Sequence, residues 1–365
     1  MPAEYASFDI LESFMKDVFI KVGVPQEDAA VCAEILIESD KRGIDSHGVG
    51  RFKPIYIDRI KDGIQNPITN FEVVKDHLAT AVVDGHDGMG HVIGKKSMQM
   101  AIDKAKKHGL GMVVVRNSTH YGIAGYYATM AANEDMIGVT GTNARPSIAP
   151  TFGIDNMLGT NPLTFGIPTD EVFPFVLDCA TSVSQRGKIE HYDRINKKMP
   201  EGWVIKRNGK SETNPAKALA GLTQDTCALA PLGGLGEDTA GYKGYGYATV
   251  VEILSAALQQ GQYLKALNGF DANGKKVPYH LGHFFIAMDI NAFVEPELFK
   301  KTTGDILREL RASAKAPGRS RIFTAGEKEY HAWLDRKDTG VPLNDSLRKS
   351  LNSLAVEYKL DNYRF

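Results

Sequence analysis

Cysteine is scarce in this sequence: Cys32, Cys179 and Cys227 are the only three in 365 residues, with no CxxC or metal-like spacing. That excludes a disulfide framework and points to a reducing compartment, so a cytoplasmic protein is expected. No charge excess exists either, with 43 basic against 44 acidic side chains. The electrostatic case for nucleic acid or an anionic membrane is therefore missing, and any charged partner is expected to be a locally bound small molecule. No apolar run approaches the roughly 18 residues of a membrane span, and "MPAEYASFDILESF" lacks the basic start and long apolar core of a secretory signal. Internal repeats and low-complexity segments are absent too. What is present, 43% hydrophobic and 24% charged residues, is the composition of a soluble globular protein large enough for two or three units.

Residues 5–63 read as helices broken by glycine and proline, the second of them introduced by Pro25 and closed by Lys41, Arg42 and Gly43. From about residue 72 short β-branched runs alternate with helical stretches, the pattern of an α/β core. Strands are expected at "ATAVVDG", "GMVVVRN", "IGVTGTN", "LTFGIPT", "PFVLDCATS" and "HFFIAMDI". Helices are expected at "GKKSMQMAIDKAKKHG", "YYATMAANED" and "GYATVVEILSAALQQG", and a hairpin within residues 197–219. After about residue 295 the chain is helical and charged again. The basic run from Arg308 to Arg321 reads as a solvated face.

Chemistry concentrates in a few turns. "RGIDSHGVGRF" puts Ser46, His47 and Arg51 between two helices, where Ser46 is either an N-cap or part of a site with the other two. A helix starting at Ser46 places His47 and Arg51 on one face; one starting near Phe52 leaves them on a loop. "VVVRNSTHYGIAGYY" sets His120 just past an apolar strand, where α/β sheets bind ligands and where an imidazole can exchange a proton at neutral pH. "VVDGHDGMGHVIGKK" superficially resembles a dinucleotide fingerprint. Its spacing is GxGxxxG, and the acidic residue expected about 20 positions later is missing, so a Rossmann site is not expected. "GTNPLTFG" and "LDCATSVSQRGK" are strand-to-turn segments rich in hydroxyls and backbone amides; such turns can bind anions, though ordinary β-turns and helix caps are the more frequent meaning. "GYKGYGYA" sets Lys243 between glycines just before a helix. His280 and His283 invite a zinc reading, but "HFFIAMDI" reads as a strand and no further ligand completes a set, so no metal is expected.

In order and spacing, "DSHGVGRF", "YIDRIKDGIQNP", "NSTHYGIAGYYA", "GTNPLTFGIP", "FVLDCATS", "RGKIE", "PEGW", "GYKGYGYA", "GHFFIAMDI" and "RIFTAGEKE" resemble the malate/L-lactate dehydrogenase-like family of NAD(P)-dependent 2-oxoacid reductases. The resemblance implies a mixed, non-Rossmann α/β sheet flanked by helices. It implies a helical domain from residues 1–72 and 296–365, a dinucleotide-binding domain over 73–295, a substrate cleft between them, and a homodimer. By the same resemblance His120 and His47 are the catalytic candidates, and Ser46 and Arg51 bind substrate. Cofactor-binding candidates are Thr142, Asn143, Thr160, Asn161, Asp178, Cys179, Ala180, Thr181, Ser182, Lys243, Gly244, Ala325, Gly326 and Glu327. The expected substrate is a small 2-oxoacid of the malate or lactate type, with a cyclic imino acid or sugar acid as the alternative. NAD is favoured over NADP, for which Arg116, Lys188 or Arg319 would have to hold the 2′-phosphate. Three positions depart from the family pattern: Thr119 for Asn, Cys179 for Met and Ala325 for Pro.

Chemically, Arg51 offers a planar two-pronged donor for a carboxylate and Ser46 a hydroxyl. Of the two histidines, His120 is preferred as proton donor, with His47 orienting substrate or relaying the proton.

Overall fold

The computed structural model describes residues 4–365; residues 1–3, where the expected helical unit begins, lie outside the described residues. A short strand β1 (Glu4–Ala6) precedes α1 (Phe8–Lys21) and α2 (Gln26–Lys41), and a tight turn then leads into α3 (Val49–Arg51). The chain continues through a wide π-helical turn at Phe52–Ile57 into α4 (Asp58–Lys61). Pro54 lies inside that turn. A proline ring in a regular α-helix clashes with the carbonyl four residues back, here Gly50, and the wider π turn avoids this.

The sheet strands and their helices follow: β2 (Glu72–His77), β3 (Thr80–Asp84), α5 (Gly90–His108), β4 (Leu110–Ser118), α6 (Ala124–Ala132), β5 (Met136–Thr142), β6 (Leu163–Ile167) and β7 (Phe175–Cys179). Gly109, left-handed at φ +78°, closes α5. Next come α7 (Arg186–Arg194), β8 (Val204–Lys206), α8 (Pro215–Thr223), β9 (Cys227–Leu229), α9 (Gly241–Ala256) and β10 (Leu281–Asp289). The chain ends with α10 (Pro296–Ala312), α11 (Glu327–Arg336), β11 (Val341–Leu343) and α12 (Asp345–Glu357).

Seven strands form one sheet in the order β2-β3-β4-β10-β5-β6-β7. Only β3 and β4 run parallel; every other neighbour pair is antiparallel, so the sheet is mixed, as the sequence implied. The period of two divides the central strands between two cores. Val113, Val115 and Phe285 face α5 and α6, while Val114 and Phe284 face Val251 of α9. A separate core joins Leu11, Phe14, Phe19, Leu36, Phe52 and Tyr56 with Val341, Leu351 and Leu354, so the two ends of the chain share one apolar interior.

The hairpin expected within 197–219 is present and short: Ile205 bridges Ser211 in antiparallel sense, and the Glu212 N–H donates to the Val204 carbonyl at 2.9 Å. What local pattern did not show is a third strand on its other edge. Val204 pairs with Leu229, and Lys206 with Cys227, across the intervening α8. The hairpin itself closes in a tight turn, Lys206 N–H donating to the Lys210 carbonyl and Gly209 N–H to the Lys206 carbonyl.

Candidate active-site cleft

The turn between α2 and α3 is built around Asp40. Its carboxylate, buried within α2, accepts the Val49 N–H at 2.7 Å and so caps α3 from a distance of nine residues. A Cβ on Gly48 would fall 2.2 Å from both Asp40 oxygens, so this position must be glycine. Burial raises the Asp40 carboxyl to about 8. The helix thus starts between the two positions weighed from sequence, and Ser46 caps nothing. Its Oγ lies 2.9 Å from His47 Nδ1.

Arg51 Nε donates to the Ser46 carbonyl at 2.8 Å, while its two terminal nitrogens meet no partner among the described residues. The guanidinium is therefore fixed at its stem and free at its fork. His120 follows β4 by two residues. Its Nδ1 takes a hydrogen bond from the Gly122 N–H at 3.3 Å and lies 2.6 Å from the Tyr56 hydroxyl. A backbone N–H only donates, so Nδ1 accepts and the neutral ring carries its proton on Nε2. The His47 and His120 rings stack with centroids 5.8 Å apart. Burial pushes His120 well below the ordinary histidine range, and the nearby His47 and Arg59 push the same way. His47 is also lowered by burial, against an opposing pull from Asp178.

Thr119, one of the three departures, accepts the Gly90 N–H at 3.0 Å and donates to the Gly88 carbonyl at 2.7 Å. It ties the start of α5 to the histidine segment. The glycines that imitated a dinucleotide fingerprint are used in packing: a Cβ on Gly90 would meet the Thr119 and His120 carbonyl oxygens at 2.4 and 2.5 Å, and one on Gly94 the Tyr127 ring at 2.8 Å. Gly90→Ala is accordingly expected to cost about 1–3 kcal/mol of stability and to lower turnover by displacing His120; urea midpoints and steady-state rates measure the two effects.

Ser46, His47, Arg51, His120, Thr160, Asp178 and Ala180 line one cleft of about 450 Å³. Asp178 accepts the Gly125 N–H at 2.7 Å and the Thr164 hydroxyl at 3.1 Å. Beyond it lies an annex of about 320 Å³ walled by Phe173, Tyr330 and Trp333 and by Gly326. Cleft and annex share Ile44, Asp178 and Glu329. The cleft is closed by the start of α7, where Gln185, Arg186 and Gly187 face it. No side chain caps this helix, and a Cβ on Gly187 would meet only the Ser46 Cβ, at 3.9 Å.

The other expected cofactor residues lie outside both hollows. Thr142 and Asn143 are buried on the β10 side, hydrogen-bonded to the backbone of Gly282. Asn161 donates to Glu252 of α9, and Thr181 to the Asn161 carbonyl. Cys179 sits 3.9 Å from the Leu163 carbonyl. Ser182 bridges to Pro231, and the Leu232 N–H donates to the Thr181 carbonyl. A Cβ on Gly244 would touch the Leu232 carbonyl, so the "DCATS", "PLGG" and "GYKG" segments stack on one another, with Lys243 exposed at the start of α9. Glu327 is buried against Arg311 and Arg321 and accepts the Thr324 N–H at 3.0 Å, which anchors the loop carrying Ala325 and Gly326. His283 places Nδ1 on the Thr142 hydroxyl and Nε2 on that of Ser118. His280 pairs with Asp87 at 2.9 Å.

Sequence reasoning missed Tyr56 and the aromatic wall of the annex. Tyr56 has the look of one more apolar-face residue, and its partner His120 lies 64 positions away. Tyr330 and Trp333, three apart on α11, carried the only local signal, a shared helix face.

The chain matches the model of the malate/L-lactate dehydrogenase family over residues 6–352. It is 43% identical over 347 residues to a malate dehydrogenase of Pyrococcus horikoshii, covering 95% of this chain and 93% of that one. An L-sulfolactate dehydrogenase of Methanocaldococcus jannaschii is 40% identical over 347 residues, with 94% of each chain covered. The crystal structure of a malate dehydrogenase from Entamoeba histolytica superposes with a TM-score of 0.94 at 44% identity, covering 98% of both chains.

Proposed function

The chain belongs to the malate/L-lactate dehydrogenase family, and from that premise we propose that it interconverts malate and oxaloacetate by hydride transfer to and from NAD in the cleft beside His120. It is an oxidoreductase of the 2-hydroxyacid/2-oxoacid pair. The relatives at 40–43% identity are named for malate and sulfolactate, which does not favour the cyclic imino acid or sugar acid alternative. One observation carries the reading: a guanidinium locked at Nε, with its fork free, lines the same cleft as a histidine whose proton is on Nε2.

In this reading the Arg51 fork holds the substrate C1 carboxylate and Ser46 adds a hydroxyl donor. His120 Nε2–H donates to the C2 carbonyl oxygen. As that oxygen takes the proton, the Tyr56 hydroxyl passes its own to Nδ1; burial raises the Tyr56 phenol well above its ordinary range and Arg59 and Arg51 offset this only in part, so the phenolate is transient and regains a proton from solvent. His47, fixed by Ser46, packs the ring of His120 in place.

The two connected hollows suit a dinucleotide. An uncapped helix start with a bare glycine offers N–H donors to an anionic linkage, and the aromatic annex suits an adenine. Asp178, Ala180 and Thr160 would hold the cofactor where the hollows meet, with Gly326 at the annex. When bound it supplies the hydride. The helical unit of residues 1–72 and 296–365 and the sheet unit of 73–295 then close the cleft between them.

A second copy of the chain is the proposed partner. Tyr247, Val250 and Ile253 of α9 are each about half exposed, at 55%, 48% and 54%, beside a groove lined by Met157, Leu158 and Tyr263. Covering that stripe would also enclose Lys243, which its own chain leaves outside the cleft. Three free cysteines fit a cytoplasmic setting, and among the described residues no helix is long and apolar enough to cross a membrane.

The test is NADH oxidation against a panel of 2-oxoacids, with oxaloacetate the expected best substrate; no turnover with any member removes the reading. Arg51→Lys keeps the charge and loses the fork, so KM for the 2-oxoacid is expected to rise about 10–100-fold with the urea midpoint nearly unchanged. An unchanged KM would return Arg51 to a structural role.

A further inference from the structure

Glu38 and Arg42 lie one turn apart at the end of α2, on the rim of the annex. Arg42 Nε donates to Glu38 Oε1 at 2.9 Å, and its Nη1 reaches the Thr129 hydroxyl at 3.3 Å. Thr129 in turn donates to the Gly125 carbonyl at 2.6 Å. The guanidinium is thus neutralised and held, while the second Glu38 oxygen has only Lys41 near it, at 3.8 Å. The charged groups around the annex are the carboxylates of Glu38, Asp178 and Glu329 against the single cation of Arg42. None of the cations considered from sequence for a 2′-phosphate lines either hollow. Arg116 is held by Asp84 at 2.8 Å, and Lys188 lies 5.1 Å from the centre of the Trp203 ring.

From this arrangement we infer that the Glu38–Arg42 pair selects the form of the cofactor, accepting an adenosine ribose with free hydroxyls and rejecting one that carries a 2′-phosphate. The inference rests on the reading that the annex takes the adenosine end. A ribose diol can donate to the open Glu38 oxygen. A 2′-phosphate carries close to two negative charges at neutral pH and would enter a site already short of cations, whose one arginine has its charge paired with Glu38. Glu38 therefore acts twice, as an acceptor for the diol and as the group that keeps Arg42 from a phosphate. Removing its charge leaves Arg42 an unneutralised cation whose fork, touched among the described residues only by Thr129 at Nη1, is well shaped for phosphate.

The experiment is a binding titration of the full-length protein with NADH and with NADPH, without substrate, read by calorimetry and by quenching of tryptophan emission. The chain has two tryptophans; Trp333 walls the annex and Trp203 lies in a different hollow. Trp203→Phe therefore leaves an annex reporter. The unsubstituted protein is expected to bind NADH at least about tenfold more tightly than NADPH. In Glu38→Gln that ratio is expected to fall by about tenfold or more, mostly through tighter NADPH binding. Adding Arg42→Met should abolish the gain. A Glu38→Gln protein that binds both dinucleotides with the original ratio overturns the selector role. If calorimetry shows binding while Trp333 emission stays unquenched by either dinucleotide, the annex reading itself falls and takes the inference with it.

Discussion

His120→Asn is expected to lower kcat for oxaloacetate reduction by about 10³-fold, with NADH affinity nearly unchanged and the protein still folded. Asparagine is smaller than the imidazole, and its side-chain oxygen still offers Gly122 N–H and Tyr56 an acceptor, so the backbone turn at 120–122 keeps its partners. What disappears is a donor able to part with a proton in exchange for one received from Tyr56. Tyr56→Phe separates the two halves of that exchange. It leaves the Nε2 proton to polarise the carbonyl but removes its replacement, so kcat is expected to fall by about 10²-fold, together with a shift in the pH profile. His47→Asn, which removes only the stacked neighbour, should cost less than either. If His47→Asn is the more damaging of the two histidine changes, the roles are reversed and His47 is the donor. If kcat for His120→Asn stays within tenfold of the parent, neither assignment of His120 survives.

The parts of the fold that sequence made legible were those fixed by local pattern. Val113 to Val115 and Phe284 to Phe285 are short apolar runs that follow Gly111 and Gly282, and they became the centre of the sheet, apolar on both faces because helices cover both. The charged first turn of α2 and the left-handed Gly109 after α5 marked helix ends through their own backbone chemistry. The parts that were not legible depend on distant partners. Nothing near Val49 announces that Asp40, nine residues earlier, will cap it, so the start of α3 was missed from both sides. The π turn shifts the inward face so that Phe52, Tyr56 and Ile57 are buried while Ile55 and Ile60 are only partly covered. That shift aims Tyr56 at His120. The cofactor residues divide in the same way. Asp178 and Ala180 end a strand and open on the cleft, whereas Asn161 and Thr181 are drawn inward by Glu252 and by each other.

Acid should destabilise this protein steeply below about pH 6.5, and the buried histidines are the reason. His91 is fully buried, with neither ring nitrogen hydrogen-bonded, and packs at a tilt of 32° against Tyr56, ring centroids 4.6 Å apart; burial pushes it down to about 3. His283, between two hydroxyls, is likewise held at about 3. Each folded-state value lies below the unfolded one, so the unfolded chain binds the proton first. The stability these residues retain is complete above about pH 6.5 and is lost progressively as the pH falls from there toward 3. A histidine kept neutral in this way costs about 1.4 kcal/mol for each pH unit below 6.5, so His91 and His283 together remove about 4 kcal/mol by pH 5. His120 and His47, lowered in the same direction, add to the loss, while Asp40, raised to about 8 by burial, offsets about one proton of it. Urea midpoints measured from pH 7.5 to 4.5 should therefore fall with a slope corresponding to two or more protons taken up on unfolding. His91→Leu removes one of those protons. It is expected to flatten the slope by about one proton while leaving a packing cost that does not vary with pH. A variant whose midpoint drops in parallel with the parent across the whole range would show that His91 is protonated in the folded state, and that its burial is relieved by a group or water within reach of the ring.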